Sequence, residues 1–237
     1  MKLVSWNCNM ALRKKWSKLV ELDADIYVIQ ECAQGDIQAI EASSGMQCFW
    51  MGANKHKGLG LLVRKPFKAE AFEDTGLTWI GSVGISGPET FRLYPVWTGI
   101  SKQDRSLRYI RQIHLLINRL EQGNVSGSTV IIGDFNSNTI WDKEHGDRSH
   151  SRAVERLMAL GISSSYHLNA SVEQGSENKI APTIYFRKNR AKPYHIDYCF
   201  ASQDLQERLV SVEFGRHDDW ISNSDHMPLS VVFMPLN

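Results

Sequence analysis

Thr129-Val130-Ile131-Ile132-Gly133-Asp134-Phe135-Asn136 is the stretch that decides the fold. Its β-branched opening predicts a strand over residues 129–132. Asp134 and Asn136 follow at the end of that apolar run, where burial makes a charge expensive unless it is paired or bound to a metal. The same break recurs along the chain. Val4-Ser5-Trp6-Asn7 ends in an amide and Tyr27-Val28-Ile29-Gln30-Glu31 in a carboxylate. His195-Ile196-Asp197-Tyr198 sets a carboxylate inside an apolar run, and Ser224-Asp225-His226 comes just before the last one. A single Asp or Asn at a strand end reads as a turn or a cap. Five such places in one chain outrun that explanation. Asn7, Glu31, Asp134, Asn136, Asp197 and Asp225 offer only oxygen, which suits Mg²⁺ or Mn²⁺. A lone histidine beside them suits proton transfer or phosphate stabilisation and not a zinc site.

Outward from these motifs, β-type runs at residues 2–8, 26–30, 47–51, 60–64 and 92–98 predict strands. Helical spacing predicts helices over 11–22 and 106–120. The second half adds a helix around 152–160 and strands near 183–187, 196–201, 209–214 and 229–234. Many strands and few helices predict helices packed outside β-sheets and not a Rossmann alternation. The 237 residues, 42% hydrophobic and 22% charged, are ordinary for a globular protein, and no repeat or linker divides them. One domain over residues 1–237 is the expectation. Scaling predicts roughly 11,000 Å² of accessible surface once folded.

Lys plus Arg is 27 and Asp plus Glu is 26, so attraction for a polyanion needs a local patch. Arg13, Lys14, Lys15 and Lys18 form one basic run, and Arg187, Lys188, Arg190 and Lys192 form another; each is either a solvated face or a grip for phosphates. Cys8, Cys32, Cys48 and Cys199 make no C-x-x-C pair, which argues against a zinc cage and a disulfide framework and for buried thiols in a reducing compartment. If Cys8 and Cys32 continue extended strands, their thiols point away from Asn7 and Glu31. The short apolar run after Met1-Lys2 predicts no signal peptide, and no stretch is long enough to span a membrane. A cytoplasmic location is expected, with no obligate protein partner readable.

Trp6-Asn7, Gln30-Glu31, Gly133-Asp134-Phe135-Asn136, Ile196-Asp197-Tyr198 and Ser224-Asp225-His226, in that order over nearly the whole chain, resemble the endonuclease/exonuclease/phosphatase superfamily. The resemblance implies a four-layer α/β sandwich, two mixed β-sheets packed face to face with helices outside, and Mg²⁺-dependent phosphoester hydrolysis. It further implies that Glu31 is the principal metal ligand, with Asn7 and Asp225 near the ion. Asp134 would orient or deprotonate the attacking water and Asn136 would hydrogen-bond the phosphate. Asp197 would keep His226 cationic beside the developing charge, and Tyr109 resembles the family tyrosine that reaches the scissile phosphate. The chain also departs from the pattern. Tyr94-Pro95-Val96-Trp97 supplies no second catalytic imidazole, so a DNase I-like two-histidine mechanism is not expected. Ser137-Asn138 after Asn136 disfavours the inositol-phosphatase branch.

A nuclease acting on DNA or RNA is the leading expectation. Hydrolysis of a small phosphoester is the second, and a catalytically silent binding module the third. The segment 138–152 bears on the choice. Ser149 or Ser151 is a plausible N-cap for the following helix, whose N-terminus would favour a bound phosphate. Arg148 and His150 would then flank an anion, and Trp141 would offer a face for a base.

Overall fold

The computed structural model describes residues 1–236 apart from 74, 76, 78–79, 101–103, 105–106, 124–126 and 172–179. Along the chain the strands are β1 (Lys2–Asn7), β2 (Ile26–Cys32), β3 (Gln47–Asn54), β4 (Lys57–Val63), β5 (Lys68–Ala69), β6 (Val83–Ser86) and β7 (Phe91–Trp97). They continue as β8 (Thr129–Asp134), β9 (Ile162–Ser164), β10 (Ile184–Tyr185), β11 (Pro193–Tyr194), β12 (Asp197–Ser202), β13 (Leu209–Phe214) and β14 (Leu229–Phe233). One six-stranded sheet has the order β13-β14-β1-β2-β4-β3 and the other β5-β6-β7-β8-β12-β9. Strands β10 and β11 form a separate hairpin. Both large sheets are mixed, since β1–β2 and β7–β8 run parallel while their neighbours are antiparallel.

Alternation along each strand explains the layers. Leu3, Ile26, Val28 and Leu61 of the first sheet meet Leu93, Val130, Ile132 and Ala201 of the second in the central core. Val4, Trp6, Tyr27 and Ile29 point the other way, against Leu19 of α1 (Trp16–Val20), Ile37 and Ile40 of α2 (Gln34–Ser44), and Trp220. Val96, Ile131, Tyr198 and Phe200 face Ile113 and Ile117 of α3 (Ile110–Gln122) and Leu157 beyond it. The result is the expected four-layer α/β sandwich, two mixed β-sheets face to face with helices outside. Its accessible surface is 11378 Å², close to the scaling expectation. Trp6 is fully buried and its Nε1 donates to the His226 carbonyl at 2.9 Å, so truncating it to alanine costs about 3–5 kcal/mol. The remaining helices are α4 (Asp142–His145), α5 (His150–Ala159), α6 (Ser165–Ala170), α7 (Gln203–Gln206) and α8 (His217–Trp220). Among the described residues no helix is long and apolar enough to cross a membrane.

Differences from the sequence expectations have local causes. The helix expected over 11–22 splits into a 3₁₀ turn at Leu12–Lys14 and α1, because Ala11 is left-handed and Lys15 leaves helical geometry at φ −115°. Helix α2 has no strong periodicity to betray it, since only Ile37 and Ile40 are buried. The strand expected at 183–187 stops at Tyr185, because Arg187 and Lys188 turn left-handed at φ 55° and 59°. The helix expected from 106 starts at Ile110, and residue 106 lies outside the described residues.

Candidate active site

Strand register brings the polar ends together. Asn7 pairs across from Gln30, Trp97 from Asp134, and Asp134 from Asp197, so the ends of β1, β2, β8 and β12 share one end of the sandwich. Gly133 makes the last step of β8 possible. At φ 148°, a Cβ there would lie 1.9 Å from the Val96 carbonyl oxygen and 3.0 Å from Gln30 Nε2. Only glycine fits a backbone this close to its neighbours.

Beyond that glycine, Asp134 is fully buried and its carboxylate accepts three hydrogen bonds. Asn7 Nδ2 donates to Oδ2 at 3.0 Å, and the Asn136 backbone N–H to Oδ1 at 2.9 Å. Asn136 Nδ2 also donates to Oδ2 at 3.0 Å and to the Thr98 carbonyl at 2.8 Å. Asn136 thus ties its amide N–H groups to the carboxylate and the backbone while lining the cavity described below. His226 Nδ1 lies 3.2 and 3.0 Å from the Asp197 oxygens, and its Nε2 is 3.9 Å from Asp134 Oδ2. Thr183 braces the pair: its Oγ1 accepts from the N–H groups of Ile196 and Asp197, and its carbonyl accepts from Met227. Burial alone would strip the His226 proton, but the Asp197 and Asp134 charges, the Asp197 hydrogen bond and Asp225 outweigh it and push its pKa up to about 10. Burial pushes Asp134 up to about 7, against the attraction of His226. The centre is therefore a buried imidazolium between two carboxyl groups.

A cavity of about 500 Å³ opens on this centre, lined by Asn7, Glu31, Tyr109, Asn136, Asp225 and His226 among others. Strand β2 carries a bulge between Gln30 and Cys32, with Glu31 at φ 61°. The bulge breaks the alternation and turns Glu31 to the cavity, while Cys32 still packs outside with Cys8. The premise of an unbroken extended strand fails at Glu31, yet both thiols lie on the outer face; burial pushes Cys8 up to about 12. All four cysteines are free. Glu31 Oε2 meets Lys57 Nζ at 2.8 Å, and Lys57 stands 5.4 Å from the Trp97 ring centroid. Asn9 donates through its backbone N–H to Asn7 Oδ1 at 3.1 Å and through Nδ2 to Asp225 Oδ1 at 3.3 Å. Glu31, Asp225 and Asn7 thus line one cavity with oxygen donors of the type a hard divalent cation takes, with Lys57 on Glu31. Asp134, Asp197 and His226 also bring three ligand atoms within 4.8 Å of one another. There the charged His226 already supplies the positive charge, so a metal would have to displace its proton. Tyr109 caps α3 in a strained conformation, φ 48° and ψ −123°, and Asn136 is at φ 45°. Such outliers cluster at functional sites.

The cavity's outer wall is aromatic. Trp141 lines it with its ring centroid 5.5 Å from that of Tyr194, and Phe186 is 44% exposed beside them. Arg148 and His150 do not join Trp141. Arg148 is exposed outside the cavity lining. His150 is buried, with Nδ1 at 3.2 Å from Ser137 Oγ, its ring against Tyr198, and its pKa pushed down to about 3 by burial and by His167 and His114. Ser149 does cap α5, accepting from the Arg152 N–H at 3.2 Å, a contact worth about 1 kcal/mol. The expected phosphate place at that helix terminus is already filled by the Asp142 carboxylate, which accepts from the N–H of His150 at 2.8 Å and of Ser151 at 3.3 Å. The basic runs are partly spent in the same way. Lys15 donates to the carbonyls of Cys8, Asn9 and Met10, Lys18 to that of Asp219, and Lys188 to that of Ser222. Arg190 pairs with Asp218 at 3.5 Å.

Sequence reasoning missed Asn9, Lys57, Glu144, His145, Phe186 and Tyr194. Asn9 stands two residues after Asn7 and Tyr194 three before Asp197, which is a usable signal. Glu144 and His145 come from α4, inside the segment 138–152 expected near the site, whereas Lys57 comes from β4 and nothing in the sequence ties it to the cleft.

Comparison with known proteins agrees with the fold. Among curated proteins no sequence matches. Solved structures share the fold at low identity. The 3′ phosphatase NExo from Neisseria, bound to product DNA hairpin, is 20% identical over 99% of both chains, with TM-score 0.72. An AP endonuclease from Archaeoglobus fulgidus is 19% identical over 98% of this chain and 99% of its own, with TM-score 0.72. The catalytic domain of APE2 from Xenopus laevis is 16% identical over 100% of this chain and 93% of its own, with TM-score 0.72. A family model matches residues 4–226, and the chain belongs to the Endonuclease/Exonuclease/phosphatase family.

Proposed function

We propose that the protein is a phosphodiesterase dependent on Mg²⁺ or Mn²⁺, with nucleic acid as its substrate class. The observation that carries this reading is the buried His226 imidazolium, held by Asp197 beside Asp134 in the cavity that Glu31 and Asp225 also line. Glu31 and Asp225, with the Asn7 amide oxygen near them, are the residues to hold the metal. When bound, a divalent ion polarises a phosphoryl oxygen and stabilises the leaving oxygen. Asp134, oriented by Asn7 and Asn136, takes the proton of the attacking water, and burial, by raising its pKa, makes it a stronger base. His226 already carries its charge, so it stabilises the negative charge that builds on the phosphoryl group without reorganising. Tyr109 lines the cavity where its hydroxyl can reach a phosphate.

Two features favour a polymer over a small ester. Trp141, Tyr194 and Phe186 give the cavity a stacking wall, worth about 1–3 kcal/mol per base. The β10–β11 hairpin that carries Phe186 and Tyr194 also carries exposed Arg187 and Lys192 at its tip. A solved relative of the same fold was captured with a DNA hairpin, which adds weight. The test is hydrolysis of plasmid DNA, single-stranded DNA, RNA and bis-p-nitrophenyl phosphate, each with Mg²⁺, Mn²⁺ or EDTA. Metal-dependent cleavage of at least one polymer is expected, and Trp141→Ala should raise KM for it about tenfold while leaving bis-p-nitrophenyl phosphate nearly unaffected. Turnover of the small ester alone would move the substrate class to small phosphoesters. Hydrolysis of none of the four would end the phosphodiesterase reading.

A further inference from the structure

Between Asn7 and the first helical turn the chain reverses through Asn9, Met10 and Ala11, at φ 48°, 66° and 53°. None is a glycine, so each carries the Cβ clash of the left-handed conformation. The turn aims the carbonyls of Cys8, Asn9 and Met10 at one point. Lys15 Nζ fills that point at 2.6, 3.2 and 2.9 Å from the three oxygens. An ammonium has three hydrogens, and here each has an acceptor. The Trp6 ring centroid lies 5.9 Å from the same nitrogen. Without a cation, three carbonyl dipoles would face one another across a half-buried gap, adding repulsion to a backbone already strained.

What this loop holds is one corner of the cleft. The Asn9 N–H fixes Asn7 Oδ1 at 3.1 Å, and Asn9 Nδ2 reaches Asp225 Oδ1 at 3.3 Å. Asn7 in turn donates to Asp134 at 3.0 Å. We propose that Lys15 is a positioning residue: its ammonium holds the left-handed loop closed and, through Asn9, sets the side chains of Asn7 and Asp225 for the metal and for Asp134. It touches neither substrate nor the reacting atoms. The consequences for turnover and for metal binding rest on the reading above; the consequence for the loop does not.

The test compares Lys15→Met, Lys15→Arg and the double variant K15M/M10G with the wild type, using two readouts that need no turnover. Hydrogen exchange of the Asn9 N–H in metal-free protein should speed up about tenfold or more in K15M, because the bond to Asn7 Oδ1 is lost when the loop opens. Mn²⁺ affinity, read by electron paramagnetic resonance, should fall about tenfold, the size seen when a group behind a metal ligand is removed. On bis-p-nitrophenyl phosphate kcat should drop about 10–100-fold with KM nearly unchanged. Glycine at position 10 accepts φ 66° without a clash, so K15M/M10G should recover about threefold or more of each loss. The planar guanidinium of K15R cannot meet three converging oxygens, so smaller losses in the same direction are expected. Unchanged Asn9 exchange and Mn²⁺ affinity in K15M overturn the proposal. So does a loss confined to KM for polymeric DNA, which would make Lys15 a phosphate contact. If K15M does not fold, K15R decides, and wild-type exchange and affinity in K15R overturn the proposal. A wild type that hydrolyses no phosphodiester removes the proposed function, and exchange of the Asn9 N–H in metal-free protein still judges Lys15.

Discussion

His226 and His150 are both almost wholly buried, at 5% and 1% exposure, yet they carry opposite charge states. His226 meets the Asp197 carboxylate through Nδ1 and has Asp134 beyond its Nε2, and these charges hold its proton. His150 meets only the Ser137 hydroxyl, and its Nε2 finds no partner among the described residues. It sits in an aromatic layer with Tyr198 and, one ring further, His195. Burial lowers His195 to about 3 as well, against the hydrogen bond to the Ala181 carbonyl. Burial by itself makes a histidine neutral; a carboxylate on a facing strand is what turns one into a permanent cation.

The sharpest way to test that contrast is to remove the cation. His226→Ala should lower kcat about 10³-fold or more with little change in KM, because its charge is needed chiefly in the transition state. A loss confined to KM would reassign His226 to binding. Next, Asp197→Asn should make His226 resemble His150. Its NMR titration midpoint should fall by about one to three pH units, and kcat by about 10²-fold. An identical midpoint in both proteins breaks the comparison outright.

Stability gives the third test, because the two kinds of histidine respond to pH with opposite sign. His150 and His195 have folded pKa values below the unfolded value of about 6.5. Their contribution is complete above about 6.5 and is lost as pH falls from there towards about 3, each at about 1.4 kcal/mol per pH unit inside that window. His226, raised to about 10, contributes fully below about 6.5 and loses its contribution as pH rises through about 10. Thermal melts between pH 4 and 7 should therefore show a steep acid loss that is shallower in His150→Leu. A slope unchanged by that substitution would mean His150 is not held neutral. The smallest effect expected is kinetic: kcat and KM of His150→Leu should stay within about twofold of wild type, since a group in the aromatic layer makes no contact with the cleft.

These tests also mark what the sequence could convey. Asn7, Glu31, Asp134, Asp197, Asp225 and His226 were legible because each interrupts an apolar run, and an interruption must be compensated somewhere. Their order carries the family resemblance, and it is the resemblance that implies the four-layer sandwich. Arg148 and His150 were misread because the same reasoning supplied a helix terminus with an external anion. The anion is Asp142, which stands eight residues before His150, and only the 3₁₀ and α4 turns between them bring it back. The bonds from the Asn136 amide to Asp134 and the Thr98 carbonyl depend on a register between strands that the residue pattern does not show. Lys57 was invisible because its partner lies across a β-ladder whose bulge at Glu31 no residue pattern announces.

The lysines that donate to backbone carbonyls have a consequence in counterions. Each cation that meets a nucleic-acid phosphate releases ions from the polymer and steepens the fall of affinity with salt by about 0.9 in the double-logarithmic slope. Lys15, Lys18 and Lys188 lie in the two basic runs that flank the cleft, but their ammonium groups are tied to Cys8, Asp219 and Ser222 carbonyls. They count towards the net charge of +1, and each is expected to add less to that slope than a lysine that bonds a phosphate directly. Binding of a long polyanion should thus vary less with ionic strength than the number of lysines beside the cleft suggests, and discrimination among substrates falls to the aromatic wall and the buried charges at its base.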